Sequence, residues 1–134
     1  MMFWTAAGVA VAGSCEDRGV VRTVLIVDDH AEFRAAARTL LEAGGFTVAE
    51  AADGRSAVAA CTRFHPDLVL LDVQLPDVDG FSVAEQLVGQ SEVVLLSSRP
   101  ASSYRGRLAA TSAAGFLTKS DLTLPALTAL LKPG

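Results

Sequence analysis

Cysteine is scarce in this 134-residue chain: only Cys15 and Cys61 occur, and neither has a second Cys at metal-ligand spacing. That excludes a zinc ribbon and a disulfide framework, and it suits thiols kept reduced in a cytosol. Basic charge is short as well. With a formal net charge of -4, the chain lacks the basic surface that direct nucleic-acid binding requires. No apolar run is long enough to cross a bilayer. The Ala/Gly/Val stretch after Met2-Phe3-Trp4 has no positively charged start, its first basic residue being Arg18, so it does not read as a secretory signal. Ala12-Gly13-Ser14 ahead of Cys15 also lacks the leucine of a lipoprotein signal. Residues 1–20 are therefore expected to be a flexible extension or an over-long start, with one domain over 21–134. Internal repeats and low-complexity tracts are absent.

What is present is ordinary for a globular protein: 51% apolar and 19% charged residues. A chain of this length buries roughly two-thirds of the surface its unfolded form exposes. From Val21 onward, short apolar runs alternate with stretches of helical spacing, which is the pattern of an α/β sheet. Strands are expected at 24–27, 46–49, 68–71, 93–96 and 116–118. The first is apolar without alternation, as for a strand covered on both faces. Asp28 or Asp29 is expected to cap a first helix running to about Ala43, with Phe33, Ala37, Leu40 and Leu41 as its buried stripe. Gly44-Gly45 stops it. Asp53-Gly54 turns the chain into a second helix to about Phe64, whose inner face takes Cys61 as packing. Phe81, Ala84, Leu87 and Val88 mark a third helix. Pro100 opens an Ala-rich fourth helix expected to reach about Ala114, and Leu124, Leu127, Leu130 and Leu131 mark a fifth.

Five β/α units with right-handed crossovers send every strand's carboxyl end to one edge, where open α/β sheets bind ligands. At that edge stand Asp28, Asp29, Asp72, Ser97 and Lys119. If the first and third strands are parallel neighbours, three carboxylates meet there, an arrangement that needs a cation or a proton to neutralise it. Mg²⁺ takes oxygen ligands in octahedral geometry and keeps several waters, so two or three carboxylates plus a backbone carbonyl suit it. A lysine beside such a site attracts a phosphoryl group, Ser97 adds a hydroxyl donor, and Asp72 is the oxygen nucleophile at hand. Taken singly, Asp28 or Asp29 reads as a helix cap, Ser97 as a loop residue and Lys119 as a solvated charge. The joint pattern favours a site.

This constellation resembles the receiver domain of two-component response regulators. The resemblance covers 21–132 and rests on Val24-Leu25-Ile26-Val27-Asp28-Asp29-His30, on Leu70 to Gly80 with its Asp-x3-Pro-x3-Gly spacing, on Leu95-Leu96-Ser97-Ser98 and on Gly115-Phe116-Leu117-Thr118-Lys119. It implies a flavodoxin-like, doubly wound five-stranded parallel sheet of order 2-1-3-4-5 with helices on both faces. It implies that Asp72 accepts a phosphoryl group from a sensor histidine kinase or phosphotransfer protein. Mg²⁺ would then be held by Asp29, Asp72 and the main-chain carbonyl of Gln74, with Asp28 acting mainly through water. Ser97 would be the switch hydroxyl, Lys119 the cation pairing with the phosphoryl oxygens, and Phe116 an aromatic ring that moves with Ser97. Phosphorylation would bias a surface formed by helix 4, strand 5 and helix 5 toward a downstream partner or a homodimer. The implied setting is a bacterial cytoplasm, with no membrane contact.

Two departures from the family pattern stand out. Ser120 follows the lysine where many receivers have proline, often through a cis peptide, a bond that costs about 2.5–4 kcal/mol without proline. The interval from Asp72 to Ser97 is a few residues short, so helix 3 or the loop after it must be trimmed. His30 reads as an exposed first-turn residue, and Phe116 equally as core. Arg99, Arg105 and Arg107 form a basic helix face near Tyr104, suited to solvent or to an acidic partner. Only Lys132-Pro133-Gly134 follow Leu131, so an effect is expected to run through a partner, through dimerisation or through a region outside this sequence. Two other classes compete with the receiver reading. A haloacid-dehalogenase-type phosphatase also uses an aspartate after a strand, but needs a second acid where Gln74 stands. A receiver-fold module that binds partners without phosphorylation would be indifferent to Asp72→Asn.

Overall fold

The computed structural model describes residues 22–131. The extension expected at 1–20 lies outside the described residues. Five strands, β1 (Thr23–Val27), β2 (Thr47–Ala51), β3 (Leu68–Asp72), β4 (Glu92–Ser97) and β5 (Gly115–Thr118), alternate with α1 (Ala31–Ala43), α2 (Gly54–Phe64), α3 (Gly80–Leu87), α4 (Arg105–Ala110) and α5 (Leu124–Leu130). The sheet is parallel throughout, in the order β2-β1-β3-β4-β5. This is the α/β sheet that the alternating pattern predicts, in the flavodoxin-like order that the family resemblance implies.

The unbroken apolar run of β1 is explained by its two covered faces. Leu25 and Val27 join Val69, Leu71, Val93 and Leu95 in a core under α2 and α3, and Cys61 packs there too. Val24 and Ile26 join Leu68, Leu70, Val94 and Leu96 in a second core that takes Ala37 and Leu41 from α1 and Leu127 from α5. Alternate residues of each strand thus serve opposite sides, which is what a period of two requires. Burial raises the Cys61 thiol pKa to about 11, so it stays a neutral packing group.

Local chemistry sets most element ends. Asp53 caps α2, its carboxylate accepting from Ser56 N–H at 2.8 Å, and Thr123 caps α5 through Ala126 N–H at 3.1 Å. Gly45, at φ +94°, turns the chain out of α1 and into β2. Gly80 begins α3 against the end of β3, where a Cβ would lie 2.3 Å from the Asp72 carbonyl oxygen. That contact is a physical reason for glycine at the end of the Asp-x3-Pro-x3-Gly spacing.

Three expectations need correction. Neither Asp28 nor Asp29 caps α1; the N-cap is His30, without a side-chain cap bond, and Asp28 instead accepts His30 N–H at 2.8 Å and pairs with Lys119. The second strand is Thr47–Ala51 rather than 46–49, because the Phe46 N–H donates to the Leu41 carbonyl at the end of α1 and the sheet bonding starts at Thr47. The fourth helix does not reach Ala114. A single 3-10 turn, Ala101–Tyr104, leads into only six α-helical residues. Beyond Ala110, Glu85 on α3 captures Thr111 Oγ1 and Ser112 N–H, each at 3.0 Å, and pulls the chain into an extended path. A tertiary carboxylate overrides the helix propensity of the alanines. The short α3 of eight residues supplies the trimming that the Asp72–Ser97 interval demands.

Candidate functional site

Strand register assembles the site. Val27 pairs with Leu71, so Asp28 and Asp72 leave adjacent strands at the same level. Asp72 stands level with Leu96, and Ser97 with Thr118, which puts Ser97 and Lys119 at the same edge. Five residues separated by up to 91 positions in the sequence therefore share one rim.

Asp28 is fully buried and Asp72 is 3% exposed, whereas Asp29 is open to solvent. Oxygens of these three acids, together with a ring nitrogen of His30, lie within 4.8 Å of one another. Lys119 joins Asp28 and Asp72. Its Nζ is 2.5 Å from Asp28 Oδ2 and 3.1 Å from Asp72 Oδ2, and it stands over the Phe33 ring, 5.0 Å from the centroid. The second contact is a hydrogen bond. The first is an ion pair through which Lys119 neutralises the buried Asp28 Oδ2. Three acids whose oxygens cluster this closely, one of them fully buried, are a donor set suited to a hard divalent cation.

Burial raises the Asp72 pKa above the usual carboxylate value, aided by Asp28 and opposed by the Gln74 amide and by Lys119. For Lys119, burial works against the charge, but the bonds to Asp28 and Asp72 outweigh it and its pKa is raised. The site thus holds a carboxylate that is expensive to ionise and a cation that favours its ionisation. Gln74 is placed by its own amide, which donates to Asp72 Oδ1 at 2.9 Å, and by a bridge to Asp79. The Lys119–Ser120 peptide is trans, no cis bond occurring among the described residues.

Asp28, Asp29, Asp72, Ser97 and Lys119 stand at this edge, whereas Phe116 pairs with Leu95 within the sheet and packs against the core; three more residues join the edge. His30, read as a bystander, presents Nδ1 to both Asp28 and Asp29, at 3.0 and 3.1 Å. Arg34 donates Nη1 to the Asp28 carbonyl at 2.6 Å and Nε to Glu50 at 2.9 Å, tying α1 to the end of β1. Tyr104 is packed against the site: the Ser97 hydroxyl donates to its hydroxyl oxygen at 3.2 Å. No spacing rule flags Arg34 or Tyr104, since each comes from an element whose orientation depends on packing. Among the arginines of the basic face, Arg107 is engaged, pairing with Asp79 and standing over Phe81 at 4.4 Å.

The family model described as the response regulator receiver domain matches residues 24–132. The chain is 37% identical over 102 residues to a Mycobacterium tuberculosis protein named "Probable transcriptional regulatory protein TcrX", covering 72% of this chain and 43% of that one. It spans about half the length, or less, of the first curated relatives it matches. Among solved structures, the chemotaxis response regulator CheY4 of Vibrio cholerae has a TM-score of 0.74 at 26% identity, covering 84% of this chain and 100% of that one. The BeF3-activated N-terminal receiver domain of Klebsiella pneumoniae RstA scores 0.70 at 28% identity, covering 81% and 93%. Family match and strand order agree over the same residues, and the chain belongs to the response regulator receiver domain family, a signalling module of two-component systems rather than a classical turnover enzyme.

Proposed function

We propose that this receiver is a phosphoacceptor switch in which Asp72 takes a phosphoryl group from a histidine kinase or a phosphotransfer protein. A carboxylate oxygen of Asp72 attacks phosphorus, the phosphorus–nitrogen bond of the phosphohistidine breaks, and an acyl phosphate forms as the imidazole leaves. The observation that carries this reading is the placement of Lys119 Nζ against both Asp28 and Asp72. That ammonium favours the ionised form of Asp72 against the cost of burial and stands where the transferring oxygens would gather charge. Asp29, Asp72 and the Gln74 carbonyl would hold Mg²⁺, with Asp28 acting mainly through water. When bound, the cation neutralises charge on the transferring phosphoryl oxygens. Ser97, at the end of β4, is the hydroxyl that turns to the phosphoryl group, and Phe116 the ring that follows it.

The outcome is a population shift at the surface of α4, β5 and α5, where β5 is only half-buried and α4 has no buried residue. A protein partner or a second copy would read that surface in a bacterial cytoplasm. We infer no nucleic-acid contact by this chain, given its net charge of -4. Gln74 standing where a phosphatase needs its second acid argues against sustained ester hydrolysis. Intact mass after exposure to acetyl phosphate or phosphoramidate with Mg²⁺ tests the reading. The expected result is a gain of one phosphoryl group by the wild type and none by Asp72→Ala. An unmodified wild type, with partner binding unaltered in Asp72→Asn, would sink it.

A further inference from the structure

Tyr104 closes the 3-10 turn that precedes α4. Its ring lies between Phe81 of α3 and Phe116 of β5, with centroids 5.7 and 6.2 Å away. Its hydroxyl meets that of Ser97, a residue only 1% exposed, whose oxygen also accepts Arg99 N–H at 2.9 Å. A serine hydroxyl has a single proton to give. With that proton on Tyr104, it reaches a phosphoryl oxygen only when the tyrosine bond breaks. Phe116 has no hydroxyl, so this contact to Ser97 comes from the start of α4 rather than from β5.

We propose that Tyr104 is a positioning residue that restrains Ser97 in the resting chain, and that phosphorylation of Asp72 exchanges the tyrosine for a phosphoryl oxygen as the acceptor of the serine proton. The proposal rests on the phosphoacceptor reading and deepens it. Hydrogen bonds to an ionised acceptor are about twice as strong as those between neutral groups, so the exchange runs toward the phosphoryl oxygen once one is in reach. Losing this bond frees the tyrosine at the first residue before α4. Chemistry at β3 and β4 is thereby coupled directly to the helix that carries Arg105 and Arg107.

Tyr104 is the one tyrosine of the chain, so ring-labelled [13C]tyrosine yields a single reporter in the full-length protein. Ser97→Ala should shift that resonance with no phosphodonor present. Beryllofluoride with Mg²⁺, added to the wild type, should move the signal in the same direction. Tyr104→Phe keeps the ring and removes the acceptor, and it should take up phosphoryl from phosphoramidate roughly threefold to tenfold faster, the kinetic equivalent of one neutral hydrogen bond. A tyrosine of purely structural value would leave that rate unchanged, because phenylalanine packs alike. Phosphoryl uptake by the wild type with an unmoved tyrosine signal and a wild-type rate in Tyr104→Phe overturns this proposal alone. Absence of uptake at Asp72 overturns it together with the reading beneath it.

Discussion

At the scale of single residues, the site trades stability for chemistry. Asp72 has a raised pKa, so the folded chain binds its proton more tightly than the unfolded chain does, and stability falls as pH rises from the unfolded value of 3.8 through the folded one. The ionised form of this carboxylate is therefore a burden on the fold. Asp72→Asn, which keeps the shape and removes the charge, should raise the thermal midpoint by about 4 °C for each kcal/mol relieved, as read by differential scanning calorimetry in metal-free buffer. Lys119 has the opposite weight. Its raised pKa means that its contribution is full below the unfolded value of 10.5 and disappears as pH rises through the folded one. Lys119→Met strands Asp28 and Asp72 without their cation and should lower stability by about 3–5 kcal/mol in urea titrations, with Mg²⁺ restoring part of the loss.

At the scale of elements, α2 shows how neighbouring segments share one helix end. Asp53 caps it from within, and Asp77, from the loop after β3, accepts from Gly54 and Arg55 N–H at 2.8 and 3.0 Å. The loop bearing Asp72 and Gln74 is thus moored to α2. Asp53→Ala should cost about 1 kcal/mol in chemical unfolding. Backbone donors hold Asp77 below the ordinary carboxylate range. Its stabilisation is present above the unfolded value of 3.8 and is lost as pH falls through the folded one. Asp77→Ala should therefore destabilise at pH 7 and make no difference at a pH below both values. The first-helix cap and the length of α4 mark where local reasoning stops. Asp28 has the chemistry of a cap, but Lys119 draws it elsewhere. Ala109, Ala110, Ala113 and Ala114 have helical propensity, yet Glu85 extends the chain at Thr111 and Ser112. In both places a side chain distant in sequence decides, and no local window contains it.

Across the whole molecule, the site and the fold share one balance sheet of charge. Three acids and one lysine meet at the rim of a sheet whose two cores are otherwise apolar. Mg²⁺ at ten times its dissociation constant should therefore stabilise the wild type by about 1.4 kcal/mol, through binding to the folded state alone. Asp29→Asn should abolish that gain, and thermal unfolding with and without the metal measures both. The sequence by itself determined the class of fold and the edge at which the candidate residues stand. Apolar runs without alternation specify strands buried on both faces, and parallel connections carry Asp28, Asp29, Asp72, Ser97 and Lys119 to one edge whatever the packing details. Only the tertiary structure decided which partner each polar group takes: Lys119 on Asp28, Arg34 on the Asp28 carbonyl, and Tyr104 on Ser97. Hydrophobic periodicity encodes which face of an element is buried. A hydrogen bond depends on position to within about half an ångström, and that precision is reached only when helices and strands have packed.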